Sequence, residues 1–171
     1  MDINRLVDFL KSENLYDDDI FTYYVNNMKF VDDPSILNGS FYGMFIDEKC
    51  GELLSFKGIV PKICNLFTLL INIHEYMHAI LLFKNLGLPF TESLDDEVLP
   101  IAFERLYIEK CASDDEKAVF ELYQKNLIDN CKDENHLRGF SLQWNVMNFY
   151  NKNGYFPTSM DLLDDLVFIK R

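Results

Sequence analysis

The chain has 171 residues, 49% of them apolar and 15% aromatic, and carries a formal net charge of −12. That much apolar surface excludes an intrinsically disordered chain, and the acidic balance excludes the basic surface that nucleic acid and anionic lipid require. No repeat, low-complexity tract or Gly/Ser linker divides the sequence, so a single domain over residues 1–171 is the expectation.

Asp2 stands where it can cap a first helix with Ile3, Leu6, Val7 and Leu10 on one face. A second helix is expected from Asp17 to Met28, ending before the turn-forming Asp32-Asp33-Pro34. Two β-prone runs follow, Ser40 to Ile46 and Leu53 to Val60, and the polar Asp47-Glu48-Lys49-Cys50-Gly51 between them reads as a hairpin connection. Pro61 ends the second run. The period then becomes helical, and the stretch from about Lys62 to Leu86 is apolar nearly all round, as a central helix would be, until Gly87 and Pro89 stop it. Ser93 and Asp96 read as a capping pair for a helix to about Lys110, and Ser113 with Glu116 makes an S-x-x-E box opening another to about Asn130. A further helix runs from about His136 to Lys152 and stops at Gly154. Pro157-Thr158-Ser159 opens a last one, carrying Leu162, Leu163, Leu166 and Val167. The fold class is therefore α+β and mostly helical: a small β-hairpin ahead of a buried helix, then a C-terminal helical bundle.

The 21 residues between Lys62 and Lys84 approach bilayer length, but His74, Glu75 and His78 would then sit near the membrane centre, where ionisable groups are costly. A buried core helix is the expectation, with no membrane partner. Cys50, Cys64, Cys111 and Cys131 form no C-x-x-C pair, and the opening MDINRLVDFLKSEN has no apolar h-region. The cysteines are read as reduced core or boundary thiols and the protein as cytoplasmic.

Two of the chain's three histidines lie in His74-Glu75-Tyr76-Met77-His78. On a helix, positions i and i+4 share a face, so both imidazoles can reach one ion, and Glu75, one step round, can reach a water on that ion. This is the H-E-x-x-H arrangement of zinc peptidases. The neighbours Ile71, Asn72, Ile73, Tyr76, Met77, Ala79 and Ile80 carry no charge, as a buried ligand helix requires. A catalytic zinc has three protein ligands and an open position. Glu97, with 18 residues between it and His78 and in the first turn of the next expected helix, is the expected third; Glu104, Asp95, Asp96 and Glu92 are alternatives. Glu104 lies seven residues beyond Glu97 on the same face, placed to accept the free N–H of a ligand histidine. Zinc lowers the pKa of bound water from about 15.7 to about 7. Glu75 would take that water's proton and pass it to the leaving amine. Candidate donors to the oxyanion are His136, Tyr107, Tyr150 and Tyr155, among which the sequence does not choose; for His136 a plain surface position at a helix start is the competing reading.

At these residues the chain resembles the gluzincin clan of zinc peptidases, His-Glu-x-x-His followed by a helix-borne glutamate. The stretch from about Gly39 to Lys110 is similar to the catalytic core of thimet-type and oligoendopeptidase-type oligopeptidases. Those place a hairpin before the motif helix, here Phe41 to Val60, and a second glutamate seven residues after the ligand glutamate, here Glu97-Val98-Leu99-Pro100-Ile101-Ala102-Phe103-Glu104. The text from Arg138-Gly139-Phe140 through Tyr155 is faintly similar to the segment that holds their His and Tyr oxyanion donors. The resemblance implies a zincin-like fold and one zinc per chain, held by His74, His78 and Glu97. Met77 departs from the small residue usual before the second histidine, and the large helical lobe that encloses peptides has no counterpart. Glu97-x-x-Pro100-x-x-Phe103 is also loosely similar to small repressor-cleaving zinc peptidases of the ImmA/IrrE type.

The function expected is zinc-dependent hydrolysis of a peptide or protein substrate, with Leu53 to Val60 as an edge to which substrate could add as a strand. The alternatives are a catalytically inactive zinc-binding or interaction domain and an ImmA/IrrE-type regulatory peptidase. A fourth protein ligand, for instance Asp95 or His136, would favour the inactive reading.

Overall fold

The computed structural model describes residues 3–32, 45–46, 56–83, 97–155 and 157. Asp2, the 47–51 connection, Gly87 and Pro89, the Ser93/Asp96 cap and the last expected helix beyond Pro157 lie outside the described residues. As expected, the architecture is α+β and mostly helical with a small sheet. The chain forms two compact units, Met1–Leu86 and Gly87–Arg171.

In the first unit, α1 (Ile3–Ser12) buries Leu6, Phe9 and Leu10. It ends in a Schellman motif: Leu15 N donates to Leu10 O at 2.8 Å and Asn14 N to Lys11 O at 3.2 Å. Asn14, at φ 55°, takes the left-handed position that asparagine tolerates. Asp17 caps α2 (Asp18–Asn27), accepting from the backbone of Asp19 at 3.0 Å and Ile20 at 3.1 Å. The expected continuation to Met28 is corrected: Met28 leaves the helix with extended backbone and opens β1 (Met28–Val31), which helical periodicity did not reveal.

β1 pairs in parallel with β3 (Phe56–Pro61), from Met28 opposite Gly58 to Val31 opposite Pro61. β2 (Phe45–Ile46) pairs antiparallel with β3 at Lys57 and Phe56, in keeping with the expected hairpin. The order is β1-β3-β2. β3 therefore lies between the other two strands, pairing with β2 at Phe56 and Lys57 and with β1 from Gly58 to Pro61, and Leu53 to Ser55 of the expected substrate edge lie outside the described residues.

α3 (Leu66–Phe83) packs on β3, α2 and α1. It begins later than Lys62 because Asn65 and Thr68 close a reciprocal cap. Thr68 N donates to Asn65 Oδ1 and Asn65 N to Thr68 Oγ1, both at 3.0 Å, and Cys64 N adds a bond to Thr68 Oγ1 at 2.9 Å. Leu69, Leu70, Ile73, Tyr76, Met77, Ala79 and Ile80 are all buried, the circumference that an all-round apolar helix requires. Among the described residues no helix is long and apolar enough to cross a membrane.

In the second unit, α4 (Val98–Cys111) is buried along most of its length and packs along α6 (Glu134–Asn153). Gly139 lies at this seam, where a Cβ would stand 3.1 Å from the Glu97 carbonyl oxygen and 2.4 Å from Ile101 Cδ1. The Ser113–Glu116 capping box opens α5 (Asp114–Asn130) as expected. Asp133 caps α6, and Gly154, at φ 73°, ends it. Arg105 is buried between the rings of Phe120 and Trp144, its guanidinium carbon 4.7 and 5.0 Å from their centroids. It donates to both carboxylate oxygens of Glu121, to Gln124 and to Gln143, and so ties α4 to α5 and α6. Such a buried charge is tolerated because nearly every N–H meets an acceptor.

Cys131 is half-buried, within the expected core or boundary placement, whereas Cys64 and Cys111 are exposed, which corrects that expectation for these two. Cys50 lies outside the described residues.

Candidate metal centre

The motif helix exists because its sequence is uninterrupted by glycine or proline and its apolar residues have partners on every side. Those packing contacts leave His74, Glu75 and His78 only 2%, 2% and 7% exposed. One turn apart, the imidazoles stand on the same face, with ring centroids 4.9 Å apart and planes at 65°. They do not splay. Glu75 is the residue between them in sequence and is equally buried.

Beneath this turn, a chain of hydrogen bonds pins α3 in rotation. Asn72 donates through Nδ2 to the carbonyl oxygens of Thr68 at 2.7 Å and Pro61 at 2.9 Å, the second at the end of β3. The Tyr24 hydroxyl, from α2, donates to Asn72 Oδ1 at 3.2 Å. Burial, and then the nearby negative charge of Glu75, raise the Tyr24 pKa well above its usual value, so the phenol stays protonated beside the carboxylate. Tyr24 packs edge-on against Tyr76, 5.3 Å between centroids, and burial raises Tyr76 as well. Tyr24 and Asn72 carry no motif signal; Asn72 lies on α3 itself, and the packing of α2 on α3 brings Tyr24 to it.

In the second unit, Glu97 is the residue that opens α4, one position before the first helical residue, and its side chain makes no cap hydrogen bond. His136, in the first turn of α6, faces it: Nε2 lies 3.4 Å from Glu97 Oε2, with the two side chains 17% and 19% exposed. His136 is therefore sheltered, not the surface helix-start histidine that sequence alone favours. Its other nitrogen, Nδ1, lies 3.5 Å from Asp133 Oδ2. Asp133 is itself held, because its Oδ1 accepts from Asn135 N at 2.8 Å as the α6 cap. The α4–α6 packing brings Glu97 and His136 together across 39 positions of sequence, which no local pattern could announce.

The other expected residues fall as follows. Glu104 is half-buried on α4, and its charge, after burial, helps push the Tyr123 hydroxyl up to about 12. Tyr107 is buried within the second unit. Tyr150 is buried against Phe103, centroids 5.3 Å apart, with the Lys110 ammonium 6.0 Å from its ring. Tyr155 is 56% exposed and packs on Phe149. Glu92, Asp95 and Asp96 lie outside the described residues.

Each unit by itself offers donors of the kind a borderline divalent ion such as zinc takes: two imidazoles on one helix face in the first, and a carboxylate beside an imidazole in the second. Burying imidazoles and a carboxylate in apolar surroundings is costly unless they are paired or bind a cation. Comparison with protein-family models, with curated proteins and with solved structures finds no match to this chain.

Proposed function

We propose that this protein is a zinc-dependent peptidase whose centre is built on the His74-Glu75-Tyr76-Met77-His78 turn of α3, with His74, His78 and Glu97 as ligands of one zinc ion per chain. The observation that carries this reading is the joint burial of His74, Glu75 and His78 on one apolar helix, with the two rings 4.9 Å apart. When bound, zinc supplies an acidified water and polarises the scissile carbonyl. Glu75 would serve as the base that holds and moves a proton between attacking water and departing amine, a role worth about 10²–10⁴ in rate. Asn72 fixes the rotation of α3 and hence the direction of the ligand face. The substrate is a peptide or protein.

Glu75→Gln tests the reading. The variant retains zinc at the wild-type ratio and loses peptide cleavage by a factor of about 10² or more. Turnover equal to wild type removes Glu75 from the mechanism.

A second reading, a zinc centre that serves interaction instead of hydrolysis, is favoured by the approach of His136 to Glu97 at 3.4 Å. A centre with four protein ligands is closed to water, whereas three leave a position for it.

A further inference from the structure

We infer that His136 is itself a ligand of the zinc that Glu97 holds, and that Asp133 is the carboxylate that orients it; this rests on the metal centre proposed above. The sequence offers His136 as one of four oxyanion donors and, with Asp95, as an example of a fourth ligand; the geometry favours the ligand role.

The 3.4 Å between His136 Nε2 and Glu97 Oε2 is longer than the roughly 2.7–3.2 Å of an N–H···O hydrogen bond. Two atoms each about 2.0–2.1 Å from a tetrahedral zinc lie about 3.3–3.4 Å apart. The pair thus stands at the spacing of two ligands of one ion.

The far side of the ring has the matching arrangement. A ligand histidine commonly gives its second ring N–H to a carboxylate, which fixes the tautomer and leaves the other nitrogen's lone pair for the metal. Asp133 Oδ2 lies 3.5 Å from His136 Nδ1, beyond hydrogen-bond length as it stands, while its Oδ1 is occupied by the helix cap, so a small turn of the carboxylate about that cap would complete the bond. One aspartate therefore starts α6 and faces the histidine of its first turn. Gly139, one turn further on, permits the approach, since a side chain there would meet the Glu97 carbonyl oxygen.

If the proposed centre also holds His74 and His78, His136 would be its fourth protein ligand, and hydrolysis would require His136 to give up its place.

The test is zinc and cobalt binding to the full chain. His136→Ala weakens zinc binding by about tenfold or more, and Asp133→Asn weakens it less. Asparagine is an equally good helix cap, so the apo form of Asp133→Asn melts with the wild type and separates orientation from folding. The absorption spectrum of the cobalt-loaded wild type is insensitive to azide, and that of His136→Ala shifts with it. Peptide cleavage per bound metal is greater in His136→Ala than in wild type. Unchanged zinc affinity in His136→Ala overturns the inference and leaves the proposed centre standing. Weakened affinity with no cleavage by either protein keeps His136 as a ligand and ends the peptidase reading. A wild-type chain that binds no zinc overturns both.

Discussion

On α3 the ionisable groups sit in a helix whose other faces are apolar and buried, while Glu97 and His136 stand at helix starts, sheltered but still partly open to water. The first arrangement gains its geometry from one helical turn, and its direction from Asn72 and Tyr24. The second depends on two helices in register: Gly139 lets them meet, and Arg105 bonds to Gln143 seven residues along α6 from His136. A site on one helix is robust to shifts between elements. A site across two helices is only as accurate as their packing.

The comparison can be broken most forcefully at Arg105. Arg105→Ala removes one donor from each of Gln124 and Gln143, which keep their bonds to each other within the α4–α5–α6 layer, and costs roughly 1–3 kcal/mol in urea unfolding. Because the register of Glu97 against His136 leans on the same layer, zinc affinity falls in the fraction that stays folded. A stability equal to wild type would mean that the apolar contacts alone set the register.

A smaller loss follows from Ser113→Ala, which removes the Oγ acceptor for Glu116 N. It costs about 1 kcal/mol, seen as a lower urea midpoint at constant slope, with zinc affinity unchanged. This variant is the control for Arg105→Ala, since it weakens α5 without touching the α4–α6 seam.

The last perturbation acts only in alkali and bears on the first region. Tyr24 is raised by burial and by Glu75, and Tyr123 is raised to about 12 by burial and by Glu104. A phenol whose folded pKa exceeds its unfolded value near 10 contributes stability that is complete below about pH 10 and is lost as pH climbs through the folded value. The melting temperature therefore declines above about pH 10, and Tyr24→Phe makes that decline shallower. Equal slopes for the two proteins would remove Tyr24 from the linkage.

What could be read in the sequence follows the same division. The H-E-x-x-H turn, the Ser113–Glu116 box and the stop at Gly154 are local patterns, and each is found where local rules put it. The Asn65–Thr68 cap was equally local, but the apolar character of the preceding Ile63 masked it. β1 was hidden because Met28 to Val31 is short and directly continues a helix. A composition rule places arginine at the surface, yet Arg105 is buried because α5 and α6 bring it acceptors and two aromatic faces. The pairing of Glu97, His136 and Asp133 joins distant segments and becomes visible only with the fold.

The most direct test of the central claim is metal analysis by mass spectrometry of the wild-type chain and of a His74→Ala/His78→Ala variant, both remetallated and dialysed. The proposed centre predicts close to one zinc per wild-type chain and almost none in the variant, with both proteins folded by circular dichroism. A wild-type chain free of metal, or a variant that holds zinc as tightly, would contradict it.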